Sequence, residues 1–321
     1  MFSKEYLTNL SAQTGFRIDS LQKQMTLLDL LREINRHPLL KNQYALKGGT
    51  AINLFLFQLP RLSVDIDLNY IGDEDRATMV KERPVLELEM KKLIESRGIS
   101  IRNLPTEHAG AKWRLQAPSA LGGTFTLEVD LNYMMRIPVW GVESRSPFPL
   151  DEDYNFNCNI VSFEELFGGK IKALMDRSVA RDLYDVFKLS RARDSFNISK
   201  LRKNLILFGI TSNDDWRKKN FQTIDNINQK MIDEQLFPTL RANDSIDLRS
   251  MKDSVLNLLA ELMNYNDDEL NFMNRFLDEG IYEPSLLFSD ESQAKRLEKH
   301  PAVLWKLQNL RQYLGLNNIQ L

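Results

Sequence analysis

The chain has 321 residues, about twice the length of an average domain, so two domains or one core with a large extension are expected. Its 42 basic and 44 acidic side chains nearly cancel, which excludes a protein that holds nucleic acid by bulk charge and leaves only a local patch for that purpose. With a single cysteine, Cys158, a disulfide framework and a multi-cysteine zinc site are both excluded; an intracellular, cytoplasmic protein is expected.

The three histidines, His37, His108 and His300, are far apart and show no metal-ligand spacing. The N-terminus lacks an apolar signal core. The most apolar stretch, Ala51 to Leu59, is too short and too polar at Asn53 and Gln58 to span a bilayer, so no membrane partner is expected.

In chain order, the first forty residues read as helical, with Leu21, Met25, Leu28, Leu31 and Ile34 at near-helical spacing. Tyr44 to Lys47 is a short apolar approach to Gly48-Gly49-Thr50. Ala51 to Phe57 then reads as a buried helix with Thr50 as its N-cap. From Leu62 to Asn69 the chain alternates: Leu62, Val64, Ile66 and Leu68 on one face, Ser63, Asp65, Asp67 and Asn69 on the other, the period of a half-buried strand. Residues 78–97 read as a charged amphipathic helix, and Lys112 to Gln116 as a strand. Gly122-Gly123 reads as a turn leading into a second alternating strand. There Phe125, Leu127, Val129, Leu131 and Tyr133 oppose Thr126, Glu128, Asp130 and Asn132, so an antiparallel hairpin is expected.

After Val161 strand alternation gives way to helical patterns, which places a boundary near residue 160, in the stretch holding Pro147, Pro149 and residues 151–159. The expected division is 1–160, an α/β core with N-terminal helices, and 161–321, a helical domain. Charge is uneven. Glu165 to Asn204 carries ten basic and five acidic residues, whereas Glu261 to Glu291 carries nine acids and one base, Arg275.

The chemistry concentrates at Gly48-Gly49-Thr50 and Asp65-Ile66-Asp67. Two glycines at a strand-to-helix turn let backbone N–H groups approach a ligand, and the helix start adds its positive dipole end, a corner suited to phosphate. Asp65 and Asp67 project from one strand face, and two carboxylates so close repel unless a cation joins them. Mg²⁺ suits such a site, because it takes few protein carboxylates and completes its shell with substrate phosphates. Asp130 is placed to be a third ligand if the two strands are neighbours.

Two other readings fail on detail. Asp65, Asp67 and Asn69 start like an EF-hand loop, but its sixth and twelfth positions are Tyr70 and Arg76. Gly169-Lys170 ends like a P-loop, but Ile171 follows where Ser or Thr is required. A second constellation runs from Lys170 through Arg177 to Arg181-Asp182-Leu183-Tyr184-Asp185. On a helix Arg181 and Asp185 are neighbours four apart. The segment reads either as surface ion pairs or as a lysine that grips phosphate with an acid that orients or deprotonates a group.

Leu46-Lys47-Gly48-Gly49-Thr50-Ala51 with Arg61-Leu62-Ser63-Val64-Asp65-Ile66-Asp67 resembles the signature of the AbiEii/AbiGii nucleotidyltransferase-like toxins, and Lys170, Arg177 and Arg181-Asp182-x-x-Asp185 resemble that family's later motifs. The resemblance covers roughly residues 40–190. It implies an α+β fold: a DNA polymerase β-type nucleotidyltransferase core, a mixed sheet flanked by helices, followed by an all-helical C-terminal domain. It implies the toxin of a bacterial toxin–antitoxin or abortive-infection pair, with a separately encoded antitoxin that need not bind it lastingly. Related toxins, the MenT group among them, transfer nucleotides to tRNA acceptor ends, so NTP and RNA are the implied substrates and Mg²⁺ the implied cofactor.

Carried over by position, Lys47, Gly48, Gly49, Thr50, Ser63 and Arg181 are implied to bind nucleotide. Asp65 and Asp67 are implied to bind metal, with Asp130 as the possible third carboxylate. Lys170 is implied to be the nucleotide-binding lysine. The additional catalytic acid is Asp185 or Asp182, with Asp185, one helical turn beyond Arg181, preferred. Transfer to a protein or small-molecule hydroxyl, and a non-catalytic nucleotide-binding module, are the alternatives.

Overall fold

The computed structural model describes residues 2–103, 109–150 and 154–316. His108 and residues 151–153 of the expected boundary stretch lie outside the described residues. The chain divides into two compact units that interleave in sequence. The first comprises residues 1–136, 142–162 and 233–245, and the second 137–141, 163–232 and 246–321.

The first unit is built on a seven-stranded mixed sheet. After helices α1 (Lys4–Thr14) and α2 (Ile18–Arg36) come strand β1 (Tyr44–Lys47), a short helix α3 (Gly48–Ala51) continued by a π-helical turn (Ile52–Leu56), and strand β2 (Asp65–Tyr70). Helix α4 (Arg76–Ser96) leads to β3 (Ser100–Asn103), β4 (Gly110–Pro118), β5 (Thr124–Asn132), β6 (Val142–Arg145) and β7 (Cys158–Val161). The strand order is β3-β4-β5-β2-β1-β7-β6. Strands β2 and β5 run parallel, as do β1 and β7, and the remaining neighbours are antiparallel. The expected hairpin is β4–β5, turned by Gly122 and Gly123 at φ 97° and 73°, backbone that costs glycine nothing.

One sheet face is apolar. Leu46, Ile66, Leu68, Trp113, Leu115, Leu127, Val129 and Leu131 are buried there. Helix α2, whose Leu21, Met25, Leu28 and Leu31 are fully buried, packs on β5 and β7, and α4 packs on β3. The other face carries the polar alternates of the same strands.

Three local expectations are corrected. Strand β2 begins at Asp65, not Leu62. The backbone N–H of Leu62 donates to Thr239 O and that of Ser63 to Gln24 Oε1, so these residues are engaged outside the sheet. Tyr44–Lys47 is a full strand. Thr50 is not the N-cap: the helix starts at Gly48 with Lys47 as its cap residue, and Thr50 is buried inside it.

In the second unit the described elements after β7 are all helical: α5 (Phe163–Asp176), α6 (Ala180–Ser190), α7 (Ile198–Gly209), α8 (Gln222–Asp225), α9 (Gln229–Met231), α10 (Leu248–Leu262), α11 (Asp267–Glu279), α12 (Glu291–Leu297) and α13 (Pro301–Tyr313), with short 3₁₀ and π turns between them. Helix α5 packs on α6 and α7, and α6 on α10, around Phe167, Ile171, Leu174, Leu183, Val186, Leu205 and Leu259. Residues 137–141 belong here because side chains capture their backbone. Glu165 accepts from Val139 N at 2.7 Å, Gln293 donates to Val139 O at 2.7 Å, and Arg296 donates to Pro138 O at 2.9 Å. The reverse excursion, residues 233–245, is tied into the first unit by Leu62 N to Thr239 O (2.8 Å) and Ala242 N to Gly15 O (2.9 Å). Among the described residues no helix is long and apolar enough to cross a membrane.

Candidate active site

The polar face of the sheet is ordered by strand register. Paired residues of neighbouring strands share a face, so register reads directly as side-chain rows. One row runs Lys112–Asp130–Asp67–Lys47 across β4, β5, β2 and β1. The next runs Arg102–Arg114–Glu128–Asp65 across β3, β4, β5 and β2. Strands β2 and β5 are thus neighbours, and Asp130 stands directly opposite Asp67. Asp65, Asp67, Glu128 and Asp130 are all half-buried.

The glycine pair explains how the chain turns so close to these acids. Gly48 sits at φ 72°, and a Cβ there would lie 2.1 Å from Asp67 Oδ2. Only glycine lets the strand-to-helix turn rest against that carboxylate. A Cβ on Gly49 would lie 2.8 Å from Ser63 Oγ and 2.9 Å from the buried guanidinium of Arg61. Thr50 Oγ1 donates to Asp65 O at 2.6 Å and Asn53 Nδ2 to Gly49 O at 2.8 Å. The helix start is therefore bolted to the acid-bearing strand. Thr50 reaches β2 main chain, and Ser63 packs under Gly49.

Three polar neighbours of the acids go unremarked in the sequence: Lys112, Arg114 and Glu128. Glu128 accepts from Lys112 at 2.8 Å and from Arg114 at 3.3 Å. The hydrogen bond from Lys112, set against partial burial and helped by that from Arg114, holds the Glu128 carboxyl below the usual range. The same bond pushes the Lys112 ammonium up, with Asp130 and Asp65 adding to it. A signal for them exists in the sequence. Lys112 and Arg114 alternate with Trp113 and Leu115, and Glu128 with Val129, so polar-face membership is legible while the neighbours are not.

The second unit brings together the later motif. Lys170 of α5 is clamped by two acids of α6, at 2.9 Å from Asp182 Oδ1 and 3.1 Å from Asp185 Oδ2. Arg177 adds a bond to Asp182 Oδ2 at 2.9 Å. The side chains of Lys170, Asp182 and Asp185 are 10%, 3% and 1% exposed, so this is an interior cluster. Burial is the largest influence on Asp182 and pushes its carboxyl up, but Lys170 and Arg177 together outweigh it and hold the group below its ordinary value. Arg181 and Asp185 are neighbours on α6 as the spacing implies, and Lys170 of the neighbouring helix binds Asp185.

The donor chemistry of the sheet face fits Mg²⁺, which favours carboxylate oxygen. Among the described residues no three His, Cys, Asp or Glu side chains converge into a ready-made cage. That is compatible with an ion taking one or two carboxylates and the rest of its shell from phosphate and water. Asp65 and Asp67 would hold such an ion, with Asp130 alongside.

A sequence model described as nucleotidyl transferase AbiEii toxin, type IV toxin–antitoxin system, matches residues 29–276. No curated protein sequence matches the chain. Among the solved structures, the chain is similar to MenT4, a nucleotidyltransferase toxin from Mycobacterium tuberculosis H37Rv, with a TM-score of 0.65 and 18% identity, over 94% of this chain and 99% of that one. At that identity the likeness is one of fold.

Proposed function

We propose, from the premise that the chain belongs to the AbiEii nucleotidyl transferase toxin family, that it transfers NMP from an NTP to an RNA hydroxyl at the acid face of its sheet, with the tRNA 3′ end as the acceptor. In a toxin–antitoxin pair such capping of tRNA would block translation in the cytoplasm until a separately encoded antitoxin relieves it. The fold reading that goes with it is a polymerase β-type core followed by an all-helical C-terminal domain.

The observation that carries this is the row in which Asp130 stands beside Asp67, with Gly48 resting on the Asp67 carboxylate. A bound Mg²⁺ would supply charge neutralisation at the triphosphate and activation of the attacking oxygen. The chain does the rest. Gly48 and Gly49 allow close approach of backbone N–H groups to phosphate, with Lys47, paired in register with Asp67, beside them. The acceptor oxygen attacks the α-phosphorus and forms a new P–O bond. The bond to the β-phosphate bridging oxygen breaks, pyrophosphate leaves, and the hydroxyl proton passes to a carboxylate of the row.

The test is an incubation of each NTP, α-labelled, with Mg²⁺ and total RNA. A discrete tRNA-sized band is expected with one preferred NTP, and it should vanish with Asp67→Ala. A band that survives that substitution refutes the site. Label on protein after RNase treatment refutes the acceptor.

A further inference from the structure

Beyond the acids, the same sheet face continues into a strip of one sign. Arg102, Arg114 and Lys112 lie on β3 and β4, in register with Glu128 and Asp130, and all three are exposed. Arg114 and Lys112 keep 52% and 48% of their side-chain surface in water. Neighbouring strands are about 4.8 Å apart, so Arg114 lies two strands, roughly 10 Å, from Asp65 and Arg102 one strand further. The aromatic residue between Lys112 and Arg114, Trp113, faces the opposite way and is 1% exposed. The strip therefore offers cations but no stacking platform, a surface suited to phosphates rather than bases.

One acid interrupts this pattern. Glu128 stands between the strip and Asp65 and takes bonds from both Lys112 and Arg114. It leans the two cations toward the acid row and offsets one of their charges. It also marks where a polyanion lying on the strip must stop, since the next side chains along the row are carboxylates.

We propose that Arg102, Lys112 and Arg114 form the seat for the acceptor RNA's backbone, gripping the phosphates just behind the reacting end, and that Glu128 weakens and bounds this grip. The inference rests on the acid face being the transfer site. It adds which surface holds the acceptor and that the hold ignores base identity there. A chain with a net charge of only −2 can bind RNA in this way, because three same-sign side chains share one exposed edge.

The experiment uses the full-length protein and bulk tRNA as probe. Filter binding without NTP is read across salt concentration, and KM is measured separately for tRNA and for NTP. Arg102→Gln, Lys112→Gln and Arg114→Gln combined should weaken tRNA binding by about tenfold or more and raise KM for tRNA accordingly. The slope of log affinity against log salt should fall by about 2, at about 0.7 for each phosphate no longer neutralised. KM for NTP should stay unchanged, and melting should confirm that the exposed substitutions leave the fold intact. Glu128→Gln should act in the opposite direction and tighten tRNA binding several-fold. Unchanged tRNA binding in the triple variant, a rise in KM for NTP instead, or weaker binding with Glu128→Gln overturns the proposal. Strip-dependent binding of tRNA without any transfer would instead sink the proposed function and leave the strip standing.

Discussion

Asp182 and Asp185 are 3% and 1% exposed with Lys170 between them, whereas Asp65, Asp67 and Asp130 lie half-buried along a sheet face. Both groups are acids held at short spacing, yet they are balanced differently. The helical cluster carries its own cation inside the fold and gives up water for fixed geometry, an arrangement that is costly to break from one side. The sheet face leaves its carboxylates partly in water. It lines them up by register and sets lysines only at the ends of the row, Lys47 and Lys112. The difference separates two roles that acidic motifs perform: keeping a positive charge in place, and presenting oxygen to a cation from outside.

Substitutions can break this comparison, and the largest effect is expected at the sheet face. Asp67→Ala should reduce turnover on the order of 10³-fold or more, because it removes an oxygen donor where charge develops. It should leave the melting temperature nearly level, since the residue is only half-buried. A large fall in melting temperature would mean that this face, too, is structural. Lys170→Met should do the reverse in kind. Two buried carboxylates would lose their shared cation, at about 3–5 kcal/mol and a drop on the order of 10 °C in a thermal scan. Unchanged stability would show that the cluster does not act as an interior ion pair.

Gly48→Ala comes next. At φ 72° a side chain costs about 1–2 kcal/mol, and its methyl would fall 2.1 Å from Asp67 Oδ2. Activity should therefore drop by far more than stability accounts for, seen as turnover against melting of the same preparation. The smallest effect is in acid. Asp182 has its folded pKa lowered by Lys170 and Arg177, so its stabilisation is present above its unfolded value of 3.8 and is lost as pH falls through the lower folded value. Arg177→Gln, at a side chain 61% exposed, should change stability at neutral pH by less than about 1 kcal/mol. It should also move the acid unfolding midpoint upward, because Asp182 then protonates sooner. A midpoint that moves down contradicts the pairing.

Much of the sheet face is legible in the sequence because alternation is local. Leu68 against Asp67 and Val129 against Asp130 show the period of two without any partner strand. The Gly48-Gly49 turn is legible for the same reason. Thr50 departs from the expected N-cap, since its hydroxyl lies inside the helix and bonds the Asp65 carbonyl. What stays hidden is tertiary. Strands β6 and β7 are four residues each and carry no clear alternation. Residues 137–141 and 233–245 change units through hydrogen bonds to partners far away in sequence, such as Gln293 to Val139. Helix spacing makes Arg181 and Asp185 neighbours, but it cannot show that a lysine of the neighbouring helix reaches Asp185. Likewise, Lys112 and Arg114 can be assigned a face from sequence, but not Glu128 as their common acceptor.

The central claim is nucleotidyl transfer at the sheet acids, and the most direct measurement uses one NTP labelled at either the α or the γ phosphate, with tRNA and Mg²⁺. The α label should move to RNA while the γ label leaves as pyrophosphate, both only with Asp67 intact. Transfer of the γ label to any acceptor, or α transfer that persists in Asp67→Ala, would contradict the account.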